Sequence, residues 1–329
     1  MDKAELAKLL DVPKLTDHIK QLDKVLRDLP KSASPNLKEP ASRFLARSGK
    51  RLRPTMVIAT AAQSGKQIDA SVIAAASAIE LIHIASLVHD DIIDASDERW
   101  GVPTISKQEG VDSAILVGDY LVALAGVQAA SVSSQVAREV AEAFATMCDG
   151  QSLELSDTNN LNRTTDSYFK CIAAKTAALF AASCRVGGLC AGLSDKDIDA
   201  LGQYGESFGM AFQLTDDLLD LLSTSDSLGK PVGNDIKEGV YTLPVLLGLQ
   251  SPSSKKLWNI LSQKSPNTKS IIKLLSDEDS IAQTVAEIDR YNSKAVSSLQ
   301  SITNHGSIKG LQELPNLYKH QALNDIVLY

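Results

Sequence analysis

Residues 71–94, SVIAAASAIELIHIASLVHDDIID, are apolar nearly all round a helical wheel. A helix on a protein surface shows one apolar stripe, whereas one that is apolar on every side belongs in the middle of a bundle. Its chief polar exceptions, Glu80, His83, Asp90 and Asp94, recur close to three- and seven-residue multiples and so form a stripe of their own. A polar stripe on a buried helix lines a cavity or costs free energy. His83 alone reads as a satisfied core histidine. Two turns before an aspartate cluster on the same face, it also reads as a ligand contact.

The rest of the chain can be built around that helix. Residues 1–30 carry apolar positions at helical spacing (Leu6, Leu9, Leu10, then Ile19, Leu22, Leu26), the pattern of one or two amphipathic helices. Pro30, Ser32, Ser34 and Pro35 make a loop, and a helix from Leu37 leads to Gly49, where the pattern breaks. Helical pattern returns at 115–130, 135–155, 166–190 and 197–222, and again, polar and serine-rich, over the last eighty or so residues. No run of useful length has the two-residue period of a strand. The fold class is therefore all-α, a helical bundle.

A chain of 329 residues could hold two domains, but apolar helical pattern runs from about 71 to about 250 with only short breaks, so one domain over 1–329 is expected. With 44% hydrophobic and 22% charged residues it reads as a soluble globular protein, and a net charge of −7 argues against a nucleic-acid partner. Cys148, Cys171, Cys184 and Cys190 lie in apolar pattern with no C-x-x-C pair, which points to buried thiols and no zinc site. The N-terminus has no secretory h-region, and the longest uncharged run, 120–137, holds enough Ser and Gln to suit a buried helix better than a transmembrane span. A cytoplasmic location is expected.

The chemistry sits in two aspartate clusters. VHDDIID places Asp90 and Asp94 on one helix face, at about 100° per residue, with Asp91 pointing aside. QLTDDLLD does the same with Asp216 and Asp220, and the two clusters lie 126 positions apart (216 − 90). Magnesium is typically held by one or two carboxylates plus substrate phosphates. Six aspartates at the ends of apolar helices would repel one another unless cations were present. Lys50, Arg51 and Arg53, beside Gly49, form a possible diphosphate clamp, or else a solvated basic turn.

With these motifs in hand, the chain resembles the trans-prenyl diphosphate synthases, which elongate isoprenoids head to tail. SGKRLRP resembles the family's GGKRxRP, and ELIHIASLVHDDIIDASDERWGVPT its first aspartate-rich region. VGDYLVA resembles its GDxLxA segment, AAKTAALF its KTxxLF segment, and FQLTDDLLDLLSTSDSLGKPVGNDIKEGVYTLP its second aspartate-rich region. The resemblance implies antiparallel helices around a deep central cavity, normally in a homodimer. It also implies three Mg²⁺ ions holding an allylic diphosphate between Asp90, Asp94 and Asp216, with Asp220 and Asp217 in support. Ionisation then gives an allylic cation that the double bond of isopentenyl diphosphate attacks. By position, Lys50, Arg53 and His83 would hold isopentenyl diphosphate, and Arg99, Lys175 and Lys230 the allylic diphosphate. Thr176 and Gln213 would face the cation.

Two departures stand out. Arg99-Trp100-Gly101 replaces the family's Arg-Arg-Gly, whose second arginine serves isopentenyl diphosphate; the loss is worth roughly 1.5–3 kcal/mol, or about 10- to 100-fold in affinity. GVYTLP puts Val240 where the family often has a phosphate-contacting lysine, and Lys237 would compensate if its segment is helical. Ala85 and Ser86, just before Asp90, are small where a bulky aromatic would close the product pocket, so a product longer than farnesyl diphosphate is expected. Ala85→Phe should shorten it, and Leu81, Leu121 or Leu124 could form a deeper floor. A non-catalytic or weakly active partner subunit of a heteromeric synthase is the alternative that Trp100 and Val240 favour. A class I terpene cyclase would share the first cluster but carry Asn/Ser/Glu-type ligands in its second motif and have no use for the GKRLRP clamp.

Overall fold

The computed structural model describes residues 3–324 apart from Ser48, Ser64, Lys66, 223–232, Lys264 and 303–307. Among the described residues its regular structure is helical but for one two-stranded hairpin, so the all-α expectation holds. The chain divides into two compact units. The first is Met1–Phe144, Leu179–Gly202 and Ser301–Gly310; the second is Ala145–Ala178, Gln203–Gln300 and Leu311–Tyr329.

The first unit starts with α1 (Lys3–Leu10), α2 (Leu15–Asp28), α3 (Pro35–Leu45) and α4 (Leu52–Ala62), and centres on α5 (Ala70–Ile93). Asp69 starts α5 as its N-cap, accepting hydrogen bonds from the Ser71 and Val72 amides that no turn precedes to satisfy. Val72, Ile73, Ile79, Leu81, Ile84 and Val88 are buried, each such side chain stabilising the fold by about 1.5–3 kcal/mol. Against α5 pack α2, α4 and α7 (Val111–Ala130). Gly118 of α7 lies so close to His89 of α5 that a Cβ there would strike the imidazole. Between α5 and α7 come the hairpin β1 (Glu98–Arg99) and β2 (Val102–Pro103) and the short helix α6 (Ile105–Glu109).

The uncharged run 120–137 is not one helix: α7 stops at Ala130 and α8 (Ser134–Asp157) follows. By length and composition alone α5, α7 and the stretch 165–191 could each cross a membrane. Most of α5 and of 165–191 is buried in the protein, as core helices are, while only about a third of α7 is.

The second unit contains α9 (Thr165–Ile172), a π-helical turn over Ala173–Ala177 and the start of α10 (Ala178–Ala191). It also holds most of α11 (Asp195–Leu222), then α12 (Asn234–Glu238), α13 (Leu243–Gly248), α14 (Ser254–Leu261), α15 (Thr268–Asp277), α16 (Ser280–Ser298) and α17 (Lys309–Leu323). Its core gathers Tyr168, Leu214, Leu218, Leu243, Leu246, Ile271, Leu275 and Ile288. Tyr204, Phe208 and Phe212, one turn apart on α11, pack in a row, and Tyr318 of α17 stacks on Phe212.

Candidate active site

The basic segment before α4 is organised by its middle residue. Arg51 is only 4% exposed and has a left-handed backbone, φ 53°. Its Nε donates to Asp23 at 3.0 Å, Nη1 to Glu80 at 2.5 Å, and Nη2 to the Leu45 carbonyl at 3.3 Å. Burial opposes its charge, but Glu80 and Asp23 outweigh that and hold its pKa above the usual value. Arg51 is thus a structural anchor, while Lys50 before it is exposed and Arg53 after it faces α5. The Arg53 guanidinium lies 4.4 Å from the Phe180 ring centroid, with Nη1 3.4 Å from His83 Nε2. Burial, then the charges of Arg53, Arg99 and Arg51, hold the His83 imidazole well below its usual pKa, so the ring is neutral.

Two turns on, Asp90 is half-buried and Asp94, the C-cap of α5, is exposed. Asp91 is buried on the other side and accepts from Arg99 Nε at 2.6 Å. Asp91 is thus set apart from Asp90 and Asp94 by its burial and its bond to Arg99. At the hairpin tip Trp100 and Gly101 have φ of 54° and 72°, both left-handed, as a two-residue hairpin requires. Glycine accepts that conformation freely, but a tryptophan there is strained. Trp100 is more than half exposed and packs against Phe44.

In the second unit the residues expected around the second cluster form a chain of hydrogen bonds. Thr176 Oγ1 donates to Gln213 Oε1 at 2.6 Å, and Gln213 Nε2 donates to Asp217 at 2.8 Å. Tyr168 Oη also donates to Asp217, whose burial pushes its carboxyl up to about 7. Gln213 thus links Thr176 to Asp217, and the Thr176 and Gln213 oxygens each keep a lone pair able to face a cation. Asp216 accepts from Tyr318 Oη at 3.2 Å. The carboxylate of Asp220 caps α12, accepting from the Asn234 and Asp235 amides at 3.2 and 3.1 Å. Lys175 lies in the π-helical turn, paired with Glu154 at 2.5 Å. The segment holding Lys237 is helical, as compensation for Val240 requires, and Lys237 is exposed on it. Lys230 lies outside the described residues.

Glu154, Tyr168 and Tyr318 escape sequence reasoning. Glu154 is 21 positions from Lys175 and Tyr318 is 102 from Asp216, and no motif marks any of the three. Among the described residues no three His, Cys, Asp or Glu side chains gather closely enough to hold a metal by themselves. Magnesium takes one or two carboxylates and completes its shell with water and phosphate oxygens. Asp90 and Asp94, one turn apart at a helix end, fit that demand.

Residues 34–277 match the family described as Polyprenyl synthetase. The chain is 35% identical over 294 residues to heptaprenyl diphosphate synthase component 2 of Geobacillus stearothermophilus, covering 88% of this chain and 91% of that one. Among solved structures, the decaprenyl diphosphate synthase of Rhodobacter capsulatus superposes with a TM-score of 0.86 at 28% identity, covering 99% of both chains. The heptaprenyl diphosphate synthase of Staphylococcus aureus superposes at 0.85 and 31% identity, covering 94% of this chain and 98% of that one.

Proposed function

Because this chain belongs to the polyprenyl synthetase family, we propose that it condenses an allylic diphosphate with isopentenyl diphosphate, head to tail, to a product longer than farnesyl diphosphate. The observation that carries the reading is the face of α5: His83 beside Arg53, and two turns on Asp90 and Asp94. In this reading Lys50, Arg53 and neutral His83 bind isopentenyl diphosphate, while Arg99, Lys175 and Lys230 bind the allylic diphosphate. Asp90, Asp94, Asp216 and Asp220 hold Mg²⁺, three ions in all. When bound, those ions neutralise the charge that grows on the leaving diphosphate.

The chain's own groups do the rest. Lys175 is the general electrostatic partner of the leaving group, presented by its π-helical turn, and exchanges Glu154 for phosphate oxygens when substrate arrives. Thr176, oriented by Gln213, turns an oxygen dipole to the allylic cation. His83, neutral at working pH, donates or accepts a hydrogen bond without adding a charge that would compete with Arg53. The proton lost after the new bond forms leaves with the released pyrophosphate. The match over residues 34–277 runs through both compact units, which supports a single catalytic domain. The location proposed is the cytoplasm.

The test is incubation with farnesyl diphosphate, isopentenyl diphosphate and Mg²⁺, resolving products by chain length. A ladder ending at one long product is expected, abolished by chelation and restored by added Mg²⁺. Absence of product with every allylic primer, even at high isopentenyl diphosphate, would sink the reading.

A homodimer is the assembly proposed. Supporting it, α7 leaves Val111, Ile115, Leu116 and Val127 substantially exposed. A second reading, a partner subunit of a heteromeric synthase, draws on the Geobacillus relative's being named a component. It predicts a chain that is silent alone and active only with a second, different polypeptide.

A further inference from the structure

Trp100 stands where the family pattern has a second arginine, and the structure brings an arginine of another segment to its side. Arg47 lies just beyond the end of α3, and its Nη1 donates to the Arg99 carbonyl oxygen at 3.3 Å. Its guanidinium sits 5.8 Å from the Phe44 ring centroid. Trp100 packs against that same ring, centroids 5.6 Å apart and planes tilted by 44°. Arg47 is also within electrostatic reach of Asp91, the carboxylate that fixes Arg99. One phenyl ring thus seats a cation from position 47 and an aromatic from position 100.

The two choices complement each other. An arginine at position 100 on this backbone would bring a second guanidinium to Phe44 beside Arg47, two like charges at one ring. Burial and the neighbouring charge of Arg43 already weaken the hold of Arg47 on its proton. Tryptophan at the hairpin tip removes that conflict and leaves Arg47 as the cation there. A guanidinium carries five N–H donors in a fork suited to phosphate oxygens, and the Arg99 carbonyl occupies only one nitrogen. The location is also right. The His83 imidazole feels both Arg53 and Arg99, so the hairpin base, to which Arg47 is tied, shares one electrostatic neighbourhood with the Arg53–His83 clamp.

We propose that Arg47 binds the diphosphate of isopentenyl diphosphate in place of the cation missing at position 100, with Phe44 and Trp100 holding it in position. The inference rests on the synthase reading and assigns that site one further substrate-binding residue.

Trp100 and Trp258 are the two tryptophans of the chain, so in a Trp258→Phe background the emission of Trp100 reports on a ligand at the hairpin. Titration with isopentenyl diphosphate should give a saturable change. Its midpoint should rise about 10- to 100-fold in Arg47→Gln, the loss of one charge-assisted contact, and recover in part in Arg47→Lys. In steady-state assays Arg47→Gln should raise the KM for isopentenyl diphosphate by a similar factor and leave the allylic KM unchanged. That penalty should shrink once Trp100→Arg restores a cation nearby. The proposal is overturned by a titration midpoint that Arg47→Gln does not move, by both KM values rising together, or by an equal penalty with and without Trp100→Arg. A chain that forms no product yet binds isopentenyl diphosphate through Arg47 would support the binding role and remove the synthase reading instead.

Discussion

Arg51 shows how much of the proposed isopentenyl diphosphate clamp depends on a residue anchored in the core. Its guanidinium, held by Asp23 and Glu80, fixes the left-handed turn from which Lys50 and Arg53 project. Removing one partner of a buried ion pair costs about 3–5 kcal/mol, because the other charge is left uncompensated. Glu80→Ala should therefore lower unfolding free energy by that order in denaturant titrations and raise the KM for isopentenyl diphosphate more than it lowers kcat. His83 gives a pH dependence of definite sign. Its folded pKa is depressed, so above about 6.5 the imidazole is neutral in folded and unfolded chains alike and costs nothing. Below that, the unfolded chain takes up a proton that the folded site refuses, and stability falls as pH drops. Urea unfolding at pH 7.5 and 5.5 should show a smaller loss in His83→Asn than in the parent, and equal losses would remove this account. At this scale the sequence was only partly legible. The basic run was visible, but that its central arginine is an anchor and its neighbours the presenting groups depends on Asp23 and Glu80, which lie 28 and 29 positions away.

Among the elements, α5 was the most legible, because only a core helix is apolar on every side, and its observed bounds fall within a residue of the expected ones. The hairpin was hidden, since its strands are two residues long and carry no period. The π-helical turn was hidden for a related reason: one extra residue in a turn shifts the register without disturbing an apolar pattern made of alanines. The face of α5 also refines the argument about product length. Ala85 is completely buried, whereas Ser86, one turn before Asp90, is half-buried and turns its hydroxyl back to the His83 carbonyl at 2.8 Å. Ser86→Phe should shorten the product, read as a shift of the chain-length ladder. Ala85→Phe must in addition force its way into packed core, with a loss of about 1–3 kcal/mol visible as a lower Tm. An unchanged ladder in both variants would place the floor at deeper residues such as Leu121, which is itself fully buried.

For the whole molecule, the exposed side of α7 is the feature most in need of a covering partner. Val127 is 63% exposed and Leu116 58%, on a helix whose other residues Val117, Leu121 and Ala125 are buried. Val127→Arg should halve the apparent mass in light scattering if the homodimer forms through this face, and leave it unchanged if it does not. The first unit has a further consequence for how the protein comes to exist. Its packing sets Arg53 over the Phe180 ring and Gly187 of α10 directly against Thr60 of α4. Those partners leave the ribosome 127 positions apart (180 − 53), which at about 5–20 residues per second is roughly 6 to 25 seconds. Throughout that interval a nascent chain displays α4 and the apolar α5 without α10, a sticky intermediate that invites chaperone capture. Slow codons placed before residue 179 would lengthen the exposure, and the yield of soluble protein would fall with it.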